Sequence, residues 1–196
     1  MPMAAASASE RAQQLCWWER QVCGIVGVGT IPPHIAFIMD GNRRFARDRG
    51  LEVAHGHRLG YEKLEQVLRW CGTLGIKAVT VYAFSLDNFR RSPDEVLAIM
   101  RLCGEKLRGM CHHDSLIRRH GIRVRVVGDL GRLSADLQED ILRVEATTAH
   151  NARAILTVCL AYTSRHEIAQ AVRRLASRYA RERGVGSETR WGGGGG

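Results

Sequence analysis

No apolar run in the chain approaches the roughly 20 residues needed to cross a bilayer, so any membrane association is expected to be peripheral or through a partner. Paired cysteines are missing as well. The six cysteines, Cys16, Cys23, Cys71, Cys103, Cys111 and Cys159, include no C-x-x-C pair. Cys111-His112-His113 therefore lacks the second ligand pair of a four-ligand zinc site, and buried free thiols are the expectation. Acid is in short supply: 29 Lys+Arg against 20 Asp+Glu leaves a formal net charge of +9. Such a surplus favours anionic partners, whether nucleic acid, anionic lipid or phosphorylated small molecules, and charge alone does not choose among them. A dinucleotide fingerprint is also wanting. Gly27 and Gly29 precede the first clear strand, so they cannot bring a helix amino end onto a pyrophosphate.

What remains suits one globular domain. The 196 residues are 45% hydrophobic, enough for a core, and 25% charged, which argues against wholesale disorder. The organisation predicted is a disordered leader over 1–14, a domain over 15–183 and a glycine-rich tail over 184–196. Trp17, Trp18, Val22, Ile25 and Val26 recur at helical spacing and predict a short amphipathic helix broken by Gly24, Gly27 and Gly29. Pro32-Pro33 then forces an extended entry into the next element.

From there strands and helices alternate. Strands are predicted at His34–Met39, Ala78–Phe84, Ile122–Val127 and Ala154–Ala161. Three are nearly continuous apolar runs, as strands covered on both faces should be. The third alternates with Arg123 and Arg125 and should be more exposed. Leu64, Val67, Leu68, Cys71 and Leu74 mark the face of one helix; Val96, Met100, Cys103, Leu107 and Met110 mark the next. That second helix opens on Ser92-Pro93-Asp94-Glu95: a cap, a first-turn proline and two acids at the positive dipole end. Leu137, Ile141, Val144 and Thr148, then Ile168, Val172, Leu175 and Tyr179, define two more. The pattern reads as an α/β fold, a mostly parallel sheet flanked by helices. Ligands in such sheets lie beyond the carboxyl ends of the strands.

The strand ends carry the chemistry. After Ile35–Met39 come Asp40, Gly41 and Asn42, then Arg43, Arg44 and Arg47. One carboxylate can hold magnesium while leaving positions for water and phosphate. A glycine lets the backbone turn its amides toward an anion, and guanidinium forks match phosphate. Asp-Gly-Asn is equally an ordinary turn with solvated charges. Ser85, Asn88, Phe89 and Arg91 follow the second strand, beside the first in a parallel sheet. Together they suit a ligand with a charged head and an apolar body, although Phe89 also suits core packing. His57, in Gly56-His57-Arg58-Leu59-Gly60, could bond a phosphate oxygen or cap a helix. Gly128-Asp129 and Tyr162-Thr163-Ser164-Arg165 occupy the remaining strand ends, with Glu167 just beyond.

Taken together, HIAFIMDGNRRFA, GHRLGYEKL, LRWC, VTVYAFSLDNFRRSPDEV, RVVGDL and AYTSRHEI occur in an order that resembles the cis-prenyltransferase family. The likeness covers roughly Trp17 to Arg183 and is nearer the eukaryotic dehydrodolichyl diphosphate synthases than the bacterial undecaprenyl ones. It implies transfer of prenyl groups: isopentenyl diphosphate condensed onto an allylic diphosphate, typically farnesyl diphosphate, with a new cis double bond, toward dolichol synthesis. By resemblance, Asp40 would act with Mg2+ and the diphosphate, and Asn42, Ser85 and Asn88 would share the catalytic work. Gly41, Arg43, Arg44, His57, Phe89 and Arg91 would bind substrate, and the growing tail would lie between the first two long helices and the sheet. A homodimer, or a heterodimer with an accessory subunit of the same fold, is implied, at the cytosolic face of the endoplasmic reticulum. Nucleic acid is set aside, having only net charge in its favour. The absence of D-D-x-x-D argues against the all-helical trans-prenyltransferases.

The likeness also has gaps. Family members continue with a further strand and an Arg-x-x-Gly/Ser-Gly-Glu segment that grips isopentenyl diphosphate, then another acid for the metal. Gly186-Ser187-Glu188 lacks the surrounding apolar blocks, and Val53 stands where many relatives have arginine. The expectation is thus a family fold missing its last strand or strands, with little or no elongation by this chain alone. A non-catalytic partner subunit or inactive isoform of the same fold is the alternative.

Overall fold

The computed structural model describes residues 15–182. The leader predicted over 1–14 and the tail over 184–196 lie outside the described residues, as does Gly186-Ser187-Glu188. Four strands, β1 (His34–Ile38), β2 (Ala78–Ser85), β3 (Ile122–Val127) and β4 (Ala154–Tyr162), form one sheet in the order β1-β2-β4-β3. Every pairing is parallel. All four coincide with the predicted strands to within a residue at each end.

Seven α-helices accompany the sheet among the described residues: α1 (Trp17–Val26), α2 (Asn42–Asp48), α3 (Val53–Thr73), α4 (Pro93–Met110), α5 (Leu116–Arg119), α6 (Ala135–Thr148) and α7 (Ser164–Glu182). The core joins Val79, Val81 and Phe84 of β2 and Leu156 and Leu160 of β4 to Ile99 and Leu107 of α4 and Leu137, Ile141 and Val144 of α6. The two central strands are β2 and β4, which explains their near-continuous apolar sequence. β3, at one edge, turns Val124 and Val126 inward and leaves Arg123 and Arg125 exposed, as its alternation predicts.

Two expectations need correction. β1 reads as a covered strand but lies at the other edge, and Ile38 is 78% exposed. Among the described residues β1 pairs only with β2, and His34, Ala36 and Ile38 on one of its faces are exposed. α1 is not broken at Gly24; it runs through to Val26 and stops at Gly27. One glycine costs a helix only about 1 kcal/mol against alanine. Its orientation is the reverse of the usual one, with Trp17, Trp18, Ile25 and Val26 exposed and Glu19 and Cys23 buried. The Glu19 carboxylate accepts from Cys16 N (2.8 Å), Gln66 Nε2 (2.6 Å) and Trp70 Nε1 (3.1 Å), pinning α1 to α3 by polar contacts. These donors, the Cys16 backbone amide foremost, hold the Glu19 pKa down at about 2.

Candidate active site

Parallel pairing of β1 with β2 sets Ile38 beside Tyr82, so the segments leaving both strands emerge side by side. Asp40 follows β1, and its Oδ1 accepts from Gly41 N at 2.6 Å. Gly41 has φ +87°, a left-handed conformation that costs other residues about 1–2 kcal/mol. It turns the chain directly into α2, which begins at Asn42.

Glycines hold α2 in place. A Cβ at Gly60 would sit 2.3 Å from Asn42 Oδ1; one at Gly56 would sit 2.5 Å from Asn42 O and 2.8 Å from Ala46 Cβ. The two glycines lie four apart on α3 and so share a face. That explains the spacing of Gly56-His57-Arg58-Leu59-Gly60, which sequence reasoning left unexplained. His57, between them, points to the site and is only 14% exposed at its side chain.

The second strand end is locked by reciprocal capping. Ser85 N donates to Asn88 Oδ1 (3.0 Å), while Ser85 Oγ accepts from Asp87 N (3.1 Å). Arg91 then donates to Glu95 Oε1 at 2.9 Å. The same carboxylate oxygen lies 3.8 Å from Arg43 Nε and 3.6 Å from His57 Nε2. Sequence reasoning saw Glu95 only as a helix-opening acid; its i,i+4 spacing from Arg91 was the available signal. His57 Nε2 is buried and has no hydrogen-bond partner. Burial pushes the His57 pKa below its ordinary value; Glu95 opposes this, and Arg91 and Arg43 add to it.

These groups form the mouth of a cavity of about 410 Å³. Asp40, Gly41, Asn42, Arg43, His57, Ser85, Asn88 and Arg91 all line it. Behind the polar mouth the bore is apolar, bounded by Leu64 and Leu68 of α3, Ile99 and Leu107 of α4, and Val81 and Val158 of the sheet. This is the place the resemblance implies for a prenyl tail. A larger basin of about 1230 Å³ shares Tyr61, Leu68, Lys106 and Met110 with it and reaches Lys77, Ile122 and Ala154 at the amino ends of the strands. The smaller cavity is the better candidate, because the converging polar groups are there.

Not every predicted residue arrives. Arg44 is exposed and does not line the cavity. Phe89 packs edge-on against Phe84, with ring centroids 5.0 Å apart, beneath the Arg132 guanidinium. It too is outside the cavity lining. At the other strand ends, Asp129 Oδ2 lies 3.5 Å from His166 Nε2 and Tyr162 donates to Glu167 (2.5 Å), so these groups partner one another. All six cysteines are free. No group of three or more His, Cys, Asp or Glu suited to a metal occurs among the described residues.

A cleft with a polar, basic mouth and an apolar bore can be compared with known proteins. The family model described as "Putative undecaprenyl diphosphate synthase" matches residues 38–190. The chain belongs to the cis-prenyltransferase family. Within that family, the chain is 47% identical over 163 residues to a dehydrodolichyl diphosphate synthase complex subunit of Homo sapiens, covering 83% of this chain and 49% of that one. It is 46% identical over 156 residues to a geranylgeranyl-diphosphate-specific tritrans,polycis-undecaprenyl-diphosphate synthase of Archaeoglobus fulgidus, covering 80% of this chain and 62% of that one. Among solved structures, lavandulyl diphosphate synthase from Lavandula x intermedia, in complex with dimethylallyl diphosphate, aligns with a TM-score of 0.71 at 33% identity. The alignment covers 79% of this chain and 64% of that one. The chain spans about half the length of the dehydrodolichyl diphosphate synthases it matches, 49–58% of each.

Proposed function

We propose that the cleft binds an allylic diphosphate, with farnesyl diphosphate as the typical substrate, for cis-prenyl transfer from that substrate to isopentenyl diphosphate. The carrying observation is the cavity itself: Arg43, His57 and Arg91 converge at one end, and Leu64, Leu68, Ile99 and Leu107 line the other. Guanidinium forks and the His57 ring hold the diphosphate, while the apolar bore takes the tail out of water. As the allylic carbon–oxygen bond breaks, charge grows on the leaving diphosphate, and cations fixed at the mouth stabilise it best at that moment. Asn42, Ser85 and Asn88 orient the incoming isopentenyl unit, with Ser85 and Asn88 assisting proton removal. Arg44 and Phe89 belong to this reading as residues supporting the diphosphate pocket from outside its lining.

Asp40 presents hard carboxylate oxygen at the mouth with no all-protein cage around it among the described residues. That donor set fits Mg2+, which keeps several waters and needs only one or two carboxylates besides substrate phosphate. When bound, the ion supplies further neutralisation of the leaving diphosphate. Asp40 would hold the ion, and Asn42 would help to bind phosphate.

The product would be a polyprenyl diphosphate for dolichol synthesis and protein glycosylation, made at the cytosolic face of the endoplasmic reticulum. No described helix is long and apolar enough to cross a membrane. The human relative is named as a complex subunit, which supports assembly as a homodimer or with an accessory subunit of the same fold. The same word supports a second reading, a partner subunit that does no chemistry itself.

Titration of the chain with farnesyl thiolodiphosphate, a non-reacting analogue, in the presence of Mg2+ tests the proposal. Wild type is expected to bind, and Asp40→Ala to bind at least tenfold more weakly, the order of one lost charge-assisted contact. Equal binding would remove Asp40 from the site. Elongated product from labelled isopentenyl diphosphate would exclude the second reading, although little or none is expected from this chain alone.

A further inference from the structure

Glu95 is not itself among the residues lining the cavity, yet its carboxylate lies among the basic groups at the mouth. An acid at the third position of a helix is ordinarily a partner of the dipole and stays in water. This one is 16% exposed at its side chain. Its Oε1 faces basic side chains from three separate segments: Arg43 on α2, His57 on α3 and Arg91 just before α4. Only Arg91, at 2.9 Å, makes a full hydrogen bond; Arg43 at 3.8 Å and His57 at 3.6 Å fall outside hydrogen-bond range. Arg43 is half-exposed and open to water, whereas a buried His57 Nε2 is left without a partner. An unmet buried polar atom is costly unless a partner arrives.

We propose that Glu95 is a positioning residue that stands in for the diphosphate, holding Arg43, His57 and Arg91 converged on one carboxylate oxygen and yielding them when the anion enters. The inference rests on the diphosphate reading of the cleft. Two guanidiniums and an imidazole around a single carboxylate leave the mouth attractive to a more highly charged anion. Without the Glu95 charge the two guanidiniums would lose their counter-ion, although a glutamine oxygen in its place would still accept from Arg91 and keep the groups aimed. With the charge they stay aimed, but each incoming phosphate meets a like charge that must be displaced. Glu95 therefore trades ground-state affinity for geometry.

Inorganic pyrophosphate, which has the charged head and no tail, is the probe. Calorimetric titration of the full chain is expected to show Glu95→Gln binding it about tenfold more tightly than wild type, the order set by removing one like charge a few ångströms from an anion. Glu95→Asp keeps the charge and is expected to stay near wild type. A merely structural glutamate would instead make both variants bind more weakly, overturning the proposal. Circular dichroism checks folding, and Glu95→Ala serves if Glu95→Gln does not fold. Should wild type bind pyrophosphate and the charge-removing variants bind no tighter, the diphosphate reading stands and this role for Glu95 fails. Should neither wild type nor any variant bind pyrophosphate or farnesyl thiolodiphosphate, the reading fails and the proposal with it.

Discussion

At the scale of single residues, the site depends on what is missing from two positions. Gly56 and Gly60 carry no side chain where α2 crosses α3, and Asn42 fills the space. The two alanine substitutions should separate stability from function. At Gly56 the new Cβ meets the Asn42 carbonyl and Ala46, neither of which can swing away. Overpacking of that kind costs about 1–3 kcal/mol, which outweighs the ~1 kcal/mol of helix propensity gained. Gly56→Ala is expected to lower the melting temperature. At Gly60 the new Cβ meets only the end of the Asn42 side chain, which can rotate. Gly60→Ala should therefore melt near wild type yet lose farnesyl thiolodiphosphate binding, because Asn42 leaves the mouth. Thermal melts and ligand titration on both variants measure the contrast.

At the scale of elements, similar sequence periodicity has two outcomes. α6 buries its stripe completely: Leu137 is 3%, Ile141 1% and Val144 0% exposed. α7 has a comparable stripe in Ile168, Val172, Leu175 and Tyr179, yet these are 55–66% exposed and no described α7 residue is buried. Ile141→Ala removes buried methyls from a packed core and should cost about 2–5 kcal/mol. Leu175→Gln removes nothing that is packed and should fall within about 0.5 kcal/mol of wild type. Urea unfolding of the two variants checks the pair. A large loss at Leu175 would show that α7 is covered in solution.

At the scale of the whole molecule, the polar anchor of α1 makes stability depend on pH. Glu19 is the one acid fixed between α1 and α3, with its pKa held at about 2 against an ordinary 4.5. Because the folded value is the lower one, its contribution is fully present above about pH 4.5 and is lost as pH falls toward 2. Wild type is expected to melt above Glu19→Gln at neutral pH, with the difference closing through that window. A difference that stays constant down to pH 2 would mean the carboxylate is not what pins the helix.

Much of this is legible in the amino-acid sequence. Period-two and unbroken apolar runs place all four strands, because burial in a sheet demands that patterning. Turn residues at the strand ends mark Asp40, Asn42, Ser85 and Asn88, which do line one cavity. Distances between side chains on different elements are not legible there. The strand order that makes β1 an edge, the outward face of α1 and the stacking of Phe89 on Phe84 all depend on packing between segments far apart in sequence. So does the position of Glu95 among Arg43, His57 and Arg91. Local patterning determined which residues form strands, helices and turns, since those choices depend on neighbours along the chain. Only the tertiary structure decided which charges meet, because meeting depends on neighbours in space.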